Sequence, residues 1–249
     1  MDIVYTIWLR NVKRYLRSRS RIVGSLGMPL FFLLVLGFGL NSVVTLPGME
    51  HGYTGFIIPG IISMSVLFTS VFSGIQIIWD KQFGFLKETL VAPVSRLEIM
   101  LGQTIGGATA SVIQGLIILV LSLLIGLNIT SIPGFLIAIV FMVLIGLSFT
   151  AFGIAIASRM EDMHGFQLII NFVVFPIFGL SGALFPIDSL PSWLRSLTLL
   201  DPLTYGVEGI RYGLLGSSQV NPLLSFVVLT GFTVFMVVFG AYLFRKISI

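Results

Sequence analysis

The stretch IMLGQTIGGATASVIQGLIILVLSLLIGLNITSIPGFLIAIVFMVLIGLSFTAFGIAIAS, residues 99–158, contains no Asp, Glu, Lys or Arg. One helix needs only ~20 apolar residues to cross a bilayer, so this stretch is too long for a single crossing. Its turn-forming residues are concentrated in GLNITSIP at 126–133, which divides it into predicted spans 104–127 and 133–157. The runs are continuously apolar and do not alternate with period two, so they predict spanning helices rather than barrel strands.

The rest of the chain repeats this pattern in shorter runs. Four further uncharged stretches predict spans at 22–44, 54–78, 166–185 and 222–243. Of the 249 residues, 56% are apolar and 10% are charged, with a mean hydropathy of +1.07, whereas soluble domains carry roughly 25% charged residues. This composition excludes a water-soluble enzyme and predicts an all-α membrane protein, a single domain over residues 1–249 with six transmembrane helices.

The basic residues orient the predicted bundle. Twelve of the fourteen Lys and Arg residues lie on one side of the six spans: in 1–21, in 79–98, at Arg159, and at Arg245 and Lys246. Only Arg195 and Arg211 lie on the other side. The positive-inside rule therefore places both termini in the cytoplasm of a multi-pass protein of the cell membrane, inner or plasma. Membrane orientation and contact with anionic lipids explain the net charge of +4 without a nucleic-acid partner.

Residues 1–21 predict an amphipathic helix that lies on the cytoplasmic membrane surface. Apolar side chains recur every four residues along one face, at Val4, Trp8, Val12 and Leu16. Basic side chains occupy the other face, at Arg10, Lys13, Arg14, Arg17 and Arg21. Two roles stay open for this helix: an anchor that fixes the topology, and a docking surface for a cytoplasmic partner.

The chain has no sequence feature of an enzyme. It has no cysteine, its histidines His51 and His164 are too far apart for a metal-ligand spacing, and it lacks phosphate-loop, zinc-protease and nucleophile-elbow motifs. We therefore expect no catalytic, cofactor-binding or metal site on this chain. The spans contain no charged residue, which counts against a proton-driven carrier. A sodium-coupled carrier or channel acting alone stays open, as does a scaffold that transports nothing.

The segment between the second and third spans predicts a short cytoplasmic helix at 80–93. Trp79, Phe83, Leu86 and Leu90 follow at intervals of four, three and four, which places them on one helical face. Pro93 ends this helix, because the residue before a proline is displaced from the α region.

A capping box is predicted directly after this segment. Ser95 and Glu98 have the S-x-x-E spacing in which each side chain binds a free backbone N–H at a helix start. Capping explains Glu98. No local feature explains Glu88, for which an exposed surface charge is the default interpretation.

On the opposite side, residues 186–221 predict short helices that do not cross the membrane. Asp201–Pro202 and Asn221–Pro222 are typical helix starts. Fifteen helical residues reach only about 22 Å, so the segment dips into or rests on the outer leaflet. Glycines at intervals of three, four and three leave a stripe that another helix can approach closely: Gly206, Gly209, Gly213 and Gly216. Glu208 and Arg211 are predicted to pair at i, i+3, with contact to a substrate as the alternative.

These two segments resemble the integral-membrane permease subunits of ABC-2 type transporters, exporters whose cytoplasmic ATPase is encoded separately or fused. The resemblance is carried by FGFLKETLVAPVSRLEIMLGQ at 83–103 and LFPIDSLPSWLRSLTLLDPLTYGVEGIR at 184–211, and it extends over essentially the whole chain. It implies two permeases, expected as a homodimer, and two ATPase subunits that hold ATP and Mg. No cofactor is then expected on this chain.

The resemblance also implies roles for particular residues. A coupling helix near 85–91 would contact the ATPase, which gives these coupling residues: Phe83, Gly84, Phe85, Leu86, Glu88, Leu90 and Pro93. External re-entrant helices at 188–216 would include or adjoin Pro186, Pro202, Tyr205, Glu208 and Arg211. Small residues for dimer or helix packing are Gly102, Gly106, Gly209 and Gly213.

The cargo is predicted only by class. The form GFLKETLVAPVSR resembles the daunorubicin-resistance and multidrug branch of the family. We expect export of a hydrophobic or amphiphilic small molecule or lipid. Export of a polysaccharide or glycolipid is the alternative.

Overall fold

The computed structural model describes residues 2–41, 52–85 and 95–247. These residues form helices and no strand, which confirms the all-α fold class. Within these ranges the helices are α1 (Asp2–Arg17), α2 (Arg19–Asn41), α3 (Gly52–Gln82), α4 (Arg96–Ile125), α5 (Ile132–Ser158), α6 (Met163–Leu180), α7 (Ser192–Leu200), α8 (Pro202–Leu215) and α9 (Pro222–Arg245). Six of them, α2 to α6 and α9, are long and apolar enough to cross a membrane.

Two helix starts differ from the predicted spans. α2 begins at Arg19, with only Ser18 between it and the end of α1, so Arg21 belongs to α2 and not to the amphipathic helix. α4 begins at Arg96, eight residues before the predicted span, because the capping box starts it there. The Glu98 N–H donates to Ser95 Oγ at 3.1 Å, and the Ser95 N–H donates to Glu98 Oε2 at 3.1 Å. The predicted capping box is thus confirmed.

α3 lies at the centre of the bundle. In the most apolar segment of α3, 83% of the residues are buried, whereas in the most apolar segment of α2 only 17% are buried. Its isoleucines at 57, 58, 61 and 62 are almost fully enclosed. α3 packs mainly against α2, α4, α5 and α8. α2, α6 and α9 keep apolar side chains exposed on their outer faces, as expected of helices that contact lipid or another subunit.

A short turn interrupts α3 at Ser73–Gly74, where it touches α5. A Cβ atom on Gly74 would lie 2.5 Å from the carbonyl carbon of Gly153, and one on Gly153 would lie 2.4 Å from the carbonyl oxygen of Val71. Both distances are well below van der Waals contact. The two backbones therefore approach each other in a way that only glycine permits.

α7 and α8 differ in their surroundings. α7 is exposed, with Trp193 and Leu200 largely uncovered, whereas nearly every side chain of α8 is buried. α8 packs against α5, α9 and α3. Of the two placements predicted for this segment, resting on the leaflet is wrong for α8, which penetrates the bundle. The predicted caps are confirmed: Asp201 and Asn221 accept from the N–H groups of Leu203 and Leu223, each at 2.9 Å.

The bundle has two chemically distinct ends. We call the end that holds α1, the end of α3, and the starts of α4 and α6 the basic end. The other end, which holds the α4–α5 loop and residues 181–221, is called the opposite end.

Candidate functional site

At the basic end, the Asp80 carboxylate joins three helices. Its Oδ2 accepts from Arg10 Nη2 of α1 at 3.0 Å and from Gln103 Nε2 of α4 at 3.4 Å. Its Oδ1 accepts from Gln76 Nε2 of α3 at 3.3 Å. We call these four residues the Asp80 cluster. A buried carboxylate is costly unless it is paired and hydrogen-bonded, and this cluster supplies both.

Arg10 also contacts the start of the predicted coupling segment. Its guanidinium carbon lies 4.5 Å from the ring centroid of Phe85, within the range of a cation–π contact. Phe83 is 82% exposed, and Gly84 has φ +77°, a left-handed conformation that favours glycine. The other predicted coupling residues, Leu86, Glu88, Leu90 and Pro93, lie outside the described residues.

The end of α3 is also fixed to the α5–α6 connection. Lys81 Nζ donates to the carbonyl oxygens of Ser158 at 2.8 Å and Met160 at 3.3 Å. Gln82 Nε2 donates to the Glu161 carbonyl at 3.0 Å. A lysine at the last carbonyls of a helix satisfies acceptors that have no partner within it. Displacement of residues 81–82 would therefore be transmitted to α5.

α1 packs along the first half of α4. Gly102 and Gly106 face α1: a Cβ on either would lie 2.8 Å from the Cβ atoms of Ile7 and Asn11, respectively. The predicted GxxxG surface is therefore covered within one chain, by α1. Part of the apolar face of α1, which was predicted to lie on the membrane surface, packs against α4 instead.

Polar side chains reinforce the contact between α1 and α4. Trp8 Nε1 donates to Thr109 Oγ1 at 3.0 Å, and Asn11 Nδ2 donates to Gln103 Oε1 at 2.6 Å. The Tyr15 hydroxyl donates to the Gln114 side chain, and burial raises the pKa of Tyr15 to about 12. α1 is therefore attached to α4 over most of its length, and Asn11 links it to the Asp80 cluster through Gln103.

At the opposite end, the predicted pair between Glu208 and Arg211 is confirmed, and it is fully buried. Arg211 Nη1 donates to Glu208 Oε1, and Nη2 donates to the Gly182 carbonyl at 3.0 Å. Glu208 Oε2 accepts from the Gln219 N–H at 2.5 Å. The Arg211 guanidinium carbon lies 4.1 Å from the Phe56 ring centroid. This pair joins α8 to α3 and to the loops on both sides of the α7–α8 hairpin.

The other predicted residues of this end hold the hairpin in shape. The Tyr205 hydroxyl donates to the Leu199 carbonyl at 2.8 Å, which ties α8 to α7. Pro202 occupies the first turn of α8. Pro186 precedes a 3₁₀ turn at Ile187–Ser189, and the Ile187 N–H donates to Gln219 Oε1 at 2.7 Å. The Tyr205 hydroxyl is therefore engaged within the hairpin.

Asp201, the N-cap of α8, is a buried carboxyl. Its Oδ1 accepts from the Leu203 N–H, while its Oδ2 is buried with no partner among the described residues. Burial raises the pKa of Asp201 to about 7, and the Leu203 hydrogen bond opposes this shift only in part. An uncompensated carboxylate oxygen in an apolar surrounding favours the protonated form.

The glycine stripe of α8 faces α5. A Cβ on Gly209 would lie 2.2 Å from the Phe141 ring, and one on Gly213 would lie 2.6 Å from the Gly134 carbonyl oxygen. A Cβ on Gly206 would lie 2.6 Å from Ile145. Gly216 instead ends α8 with φ +74°. The stripe therefore brings α8 close enough to α5 for the Glu208 pair to be enclosed.

The burial of Asp80 and of the Glu208–Arg211 pair was not predicted from the sequence. Asp80 was predicted to begin a cytoplasmic helix at 80–93 because the second span was expected to end at residue 78, but α3 continues to Gln82 and buries it. The pairing of Glu208 with Arg211 was predicted, but their burial was not. A signal was present in both cases: Asp80 lies four residues after Gln76, and Glu208 lies inside the glycine stripe. Asp80 lies within α3, so the prediction that the spans contain no charged residue is wrong for this helix. Asp80 and Glu208 each pair with an arginine.

Comparison with known proteins gives a family match and three informative relatives. Residues 3–215 match the family described as ABC-2 type transporter. The chain is 28% identical over 239 residues to "Inner membrane transport permease YadH" of Escherichia coli (strain K12), covering 92% of this chain and 89% of that protein. It is 26% identical over 245 residues to "Nodulation protein J" of Rhizobium leguminosarum bv. viciae, covering 96% and 93%. It is 28% identical over 198 residues to "Putative transport permease ycf38" of Cyanophora paradoxa, covering 79% and 68%.

Proposed function

Since the chain belongs to the ABC-2 type transporter family, we propose that this transport permease works as an exporter subunit driven by a separate ATPase. The ATPase docks on residues 80–93 and holds the ATP and Mg. The main support for this proposal is the family match, which includes residues at both ends of the bundle. Residues 1–249 contain no phosphate-loop motif, so the proposal places ATP hydrolysis outside them.

The basic end faces the cytoplasm in this proposal, with both termini on that side. The support is the position at this end of eleven of the thirteen basic residues that the structure describes. The protein then lies in the cell membrane with α7 and α8 on the external side.

The Asp80 cluster gives a physical route from the ATPase to the bundle. Force on the docking segment reaches Phe85, which contacts Arg10, and Arg10 is paired with Asp80. Through Gln103 and Lys81 the same movement reaches α4 and α5. ATP-driven motion of a docked subunit would in this way tilt α1, α3 and α4 together, while the buried Glu208 pair keeps the opposite end fixed.

The working unit contains two permease copies in this proposal, and the same chain supplies both. Gly102 and Gly106 are covered by α1, so the contact between copies uses other surfaces. The outer faces of α2 and α6 are available, since both expose apolar side chains. The cargo is a hydrophobic or amphiphilic small molecule or lipid. The apolar, carboxylate-poor spans favour it over a highly charged cargo.

The proposal is tested by separating docking from folding. Phe83 is mostly exposed, so Phe83→Asp should leave the bundle intact. Trp193→Asp is the matched control, because Trp193 is an exposed aromatic residue at the opposite end. We expect Phe83→Asp to lower the affinity for the co-expressed ATPase by about tenfold or more, as loss of an aromatic anchor does in other interfaces. Co-purification and cargo-stimulated ATP hydrolysis in liposomes measure this.

Two results would contradict the proposal. Equal ATPase binding by the Phe83→Asp and Trp193→Asp proteins would place docking elsewhere. Transport by the purified chain alone, driven by an ion gradient without ATP, would show a carrier instead.

A further inference from the structure

A cavity of about 710 Å³ lies near the basic end, between α1, α2, α3 and α6. Its wall on α3 extends from Met64 to Trp79, a length of about 22 Å at 1.5 Å per residue. This is comparable to one leaflet with its headgroups, since the whole bilayer is about 40–45 Å thick when the headgroup regions are included. None of the residues assigned above to the Asp80 cluster lines it except Gln76.

The end of the cavity nearest α1 is cationic. Arg14 and Arg21 line it, and the Arg14 guanidinium carbon lies 5.4 Å from the Trp79 ring centroid. Among the residues that the structure describes, no Asp or Glu lines the cavity. Among the described residues, ion pairs join Arg10, Arg195 and Arg211 to carboxylates, and none involves Arg14 or Arg21. Arg14 and Arg21 therefore line the same cavity, and the described residues that line it provide no carboxylate to neutralise them.

The deeper part of the cavity is mainly apolar and aromatic, with the hydroxyls of Ser65 and Thr69 between these side chains. Its lining includes Met28, Met64, Phe68, Phe72 and Phe175. The rings of Phe68 and Phe175 lie 5.1 Å apart in an edge-to-face arrangement. Methionine and aromatic side chains form adaptable surfaces for hydrocarbon. The polarity of the cavity thus changes in one direction, from guanidinium groups at the basic end to hydrocarbon near the centre of α3.

We propose that this cavity binds one phospholipid-like amphiphile from the adjacent leaflet, with an anionic phosphate headgroup on Arg14 and Arg21 and a hydrocarbon chain against Phe68, Phe72 and Phe175. Guanidinium groups match phosphate in shape and charge, and they retain their charge near apolar surroundings better than most cations. A soluble anion would bind the arginines but leave the aromatic part of the cavity empty. A neutral hydrophobic molecule would fill the aromatic part but leave the two arginines without an anion.

This inference rests on the proposed function in one respect: the bound amphiphile is then the class of molecule that the exporter moves. The binding itself is measured on the permease without its ATPase. Binding in a protein whose ATP hydrolysis drives no transport would overturn the proposed function and leave the site standing. ATP-coupled transport by a protein that shows no headgroup preference would overturn the lipid site and leave the proposed function standing.

The experiment uses Trp79 as a reporter, since its side chain lines the cavity. Trp8→Phe and Trp193→Phe leave it as the single tryptophan of the chain. The protein is reconstituted in phosphatidylcholine vesicles that contain a small fraction of brominated phosphatidylglycerol or brominated phosphatidylcholine, which quench tryptophan on contact. We expect phosphatidylglycerol to bind about tenfold more strongly than phosphatidylcholine, as two added charge contacts imply.

The matched variants separate this site from general attraction to an anionic surface. Arg14→Gln with Arg21→Gln should abolish the preference, whereas Arg17→Gln with Arg19→Gln removes the same charge nearby without touching the cavity lining. Arg14→Lys with Arg21→Lys should retain part of the preference. A misfolded variant would lose quenching by both lipids, whereas loss of the site alone would change only the ratio of quenching by phosphatidylglycerol to quenching by phosphatidylcholine.

Three outcomes would overturn the proposal: equal quenching by the two lipids, equal loss in the two glutamine variants, or release of phosphatidylglycerol by inorganic phosphate at constant ionic strength. The last outcome would assign the arginines to a free anion.

Discussion

The two arginine–carboxylate pairs that hold this bundle differ in how completely they exclude water. At the opposite end, the side chains of Arg211 and Glu208 are 3% and 0% exposed. At the basic end, Asp80 is buried but the side chain of Arg10 is 30% exposed. Arg10 also contacts Phe85, whereas Arg211 is enclosed by Phe56 and by the Gly182 carbonyl.

This difference indicates which end can move. A buried pair cannot separate without leaving a charge in a medium of low polarity, so the Glu208 pair fixes α8 in one position. A pair with one exposed member can exchange its partner for water at low cost. The Asp80 cluster is therefore suited to change its contacts during a transport cycle, and the opposite end is suited to resist that change.

Removal of one member of the Glu208 pair should have the largest effect on stability. Glu208→Gln leaves the Arg211 charge buried without a counter-ion, and we expect a loss of about 3–5 kcal/mol in the free energy of unfolding. Unfolding titrations with a denaturing detergent measure it. The double variant Glu208→Gln with Arg211→Met should recover much of this loss, because it removes both charges. A single variant as stable as the original protein would show that the pair does not fix this end.

Substitution of a glycine by alanine should also cost more stability at the opposite end than at the basic end. Gly213→Ala places a methyl group against the Gly134 backbone, which cannot rotate away, so we expect a loss of about 3 kcal/mol, the upper end of overpacking effects. Gly106→Ala meets the Asn11 side chain on α1 and should cost less. Gly231→Ala is the control, since nothing lies within 4 Å of its added Cβ. Equal losses for Gly213→Ala and Gly231→Ala in the same titrations would refute the close contact.

The opposite end should lose stability as pH rises. The pKa of Asp201 is about 7 in the folded protein and 3.8 in the unfolded chain, so folding favours the protonated carboxyl. Stability is then complete at low pH and decreases as pH rises from about 4 to 7, by about 2 kcal/mol between pH 5 and 7. Asp201→Asn keeps the cap acceptor and should remove this dependence. The same slope in the Asp201→Asn protein would assign it to another group.

Disruption of the Asp80 cluster should have the smallest effect on stability and a larger one on coupling. Asp80→Asn keeps an acceptor for Gln76 or Gln103 but removes the ion pair with Arg10, for which we expect a loss of about 1 kcal/mol. We expect ATP hydrolysis to continue while cargo transport per ATP falls severalfold, because Arg10 no longer joins Phe85 to α3. Lys13→Gln, a loss of one charge elsewhere on α1, serves as control. An unchanged ratio of transport to hydrolysis in Asp80→Asn would exclude this role.

The local features of the fold could be predicted from the sequence because each depends on neighbouring residues. Ser95 with Glu98, Asp201 with Pro202, and Asn221 with Pro222 mark helix starts through backbone hydrogen bonds within one turn. The glycine stripe of α8 was likewise visible in the spacing. Together with the continuous apolar runs, which predicted the all-α fold, these signals sufficed for several helix starts and for the close-packing face of α8.

The contacts between distant residues could not be predicted. Arg10 and Asp80 are 70 positions apart, and nothing in either segment specifies that α1 packs beside α3 and α4. The cavity likewise needs four helices to meet. Such sites depend on tertiary packing, which hydropathy and helix propensity do not determine.

The central claim, that the ATPase acts on the bundle where Arg10, Asp80 and Phe85 meet, is tested most directly by site-specific crosslinking. The chain contains no cysteine, so Phe83→Cys introduces a single thiol for a photoreactive crosslinker. We predict that this position captures the co-expressed ATPase, that ATP changes the yield, and that Asp80→Asn removes the ATP effect without removing capture. Equal capture from Trp193→Cys, or an ATP effect unchanged by Asp80→Asn, would contradict the claim.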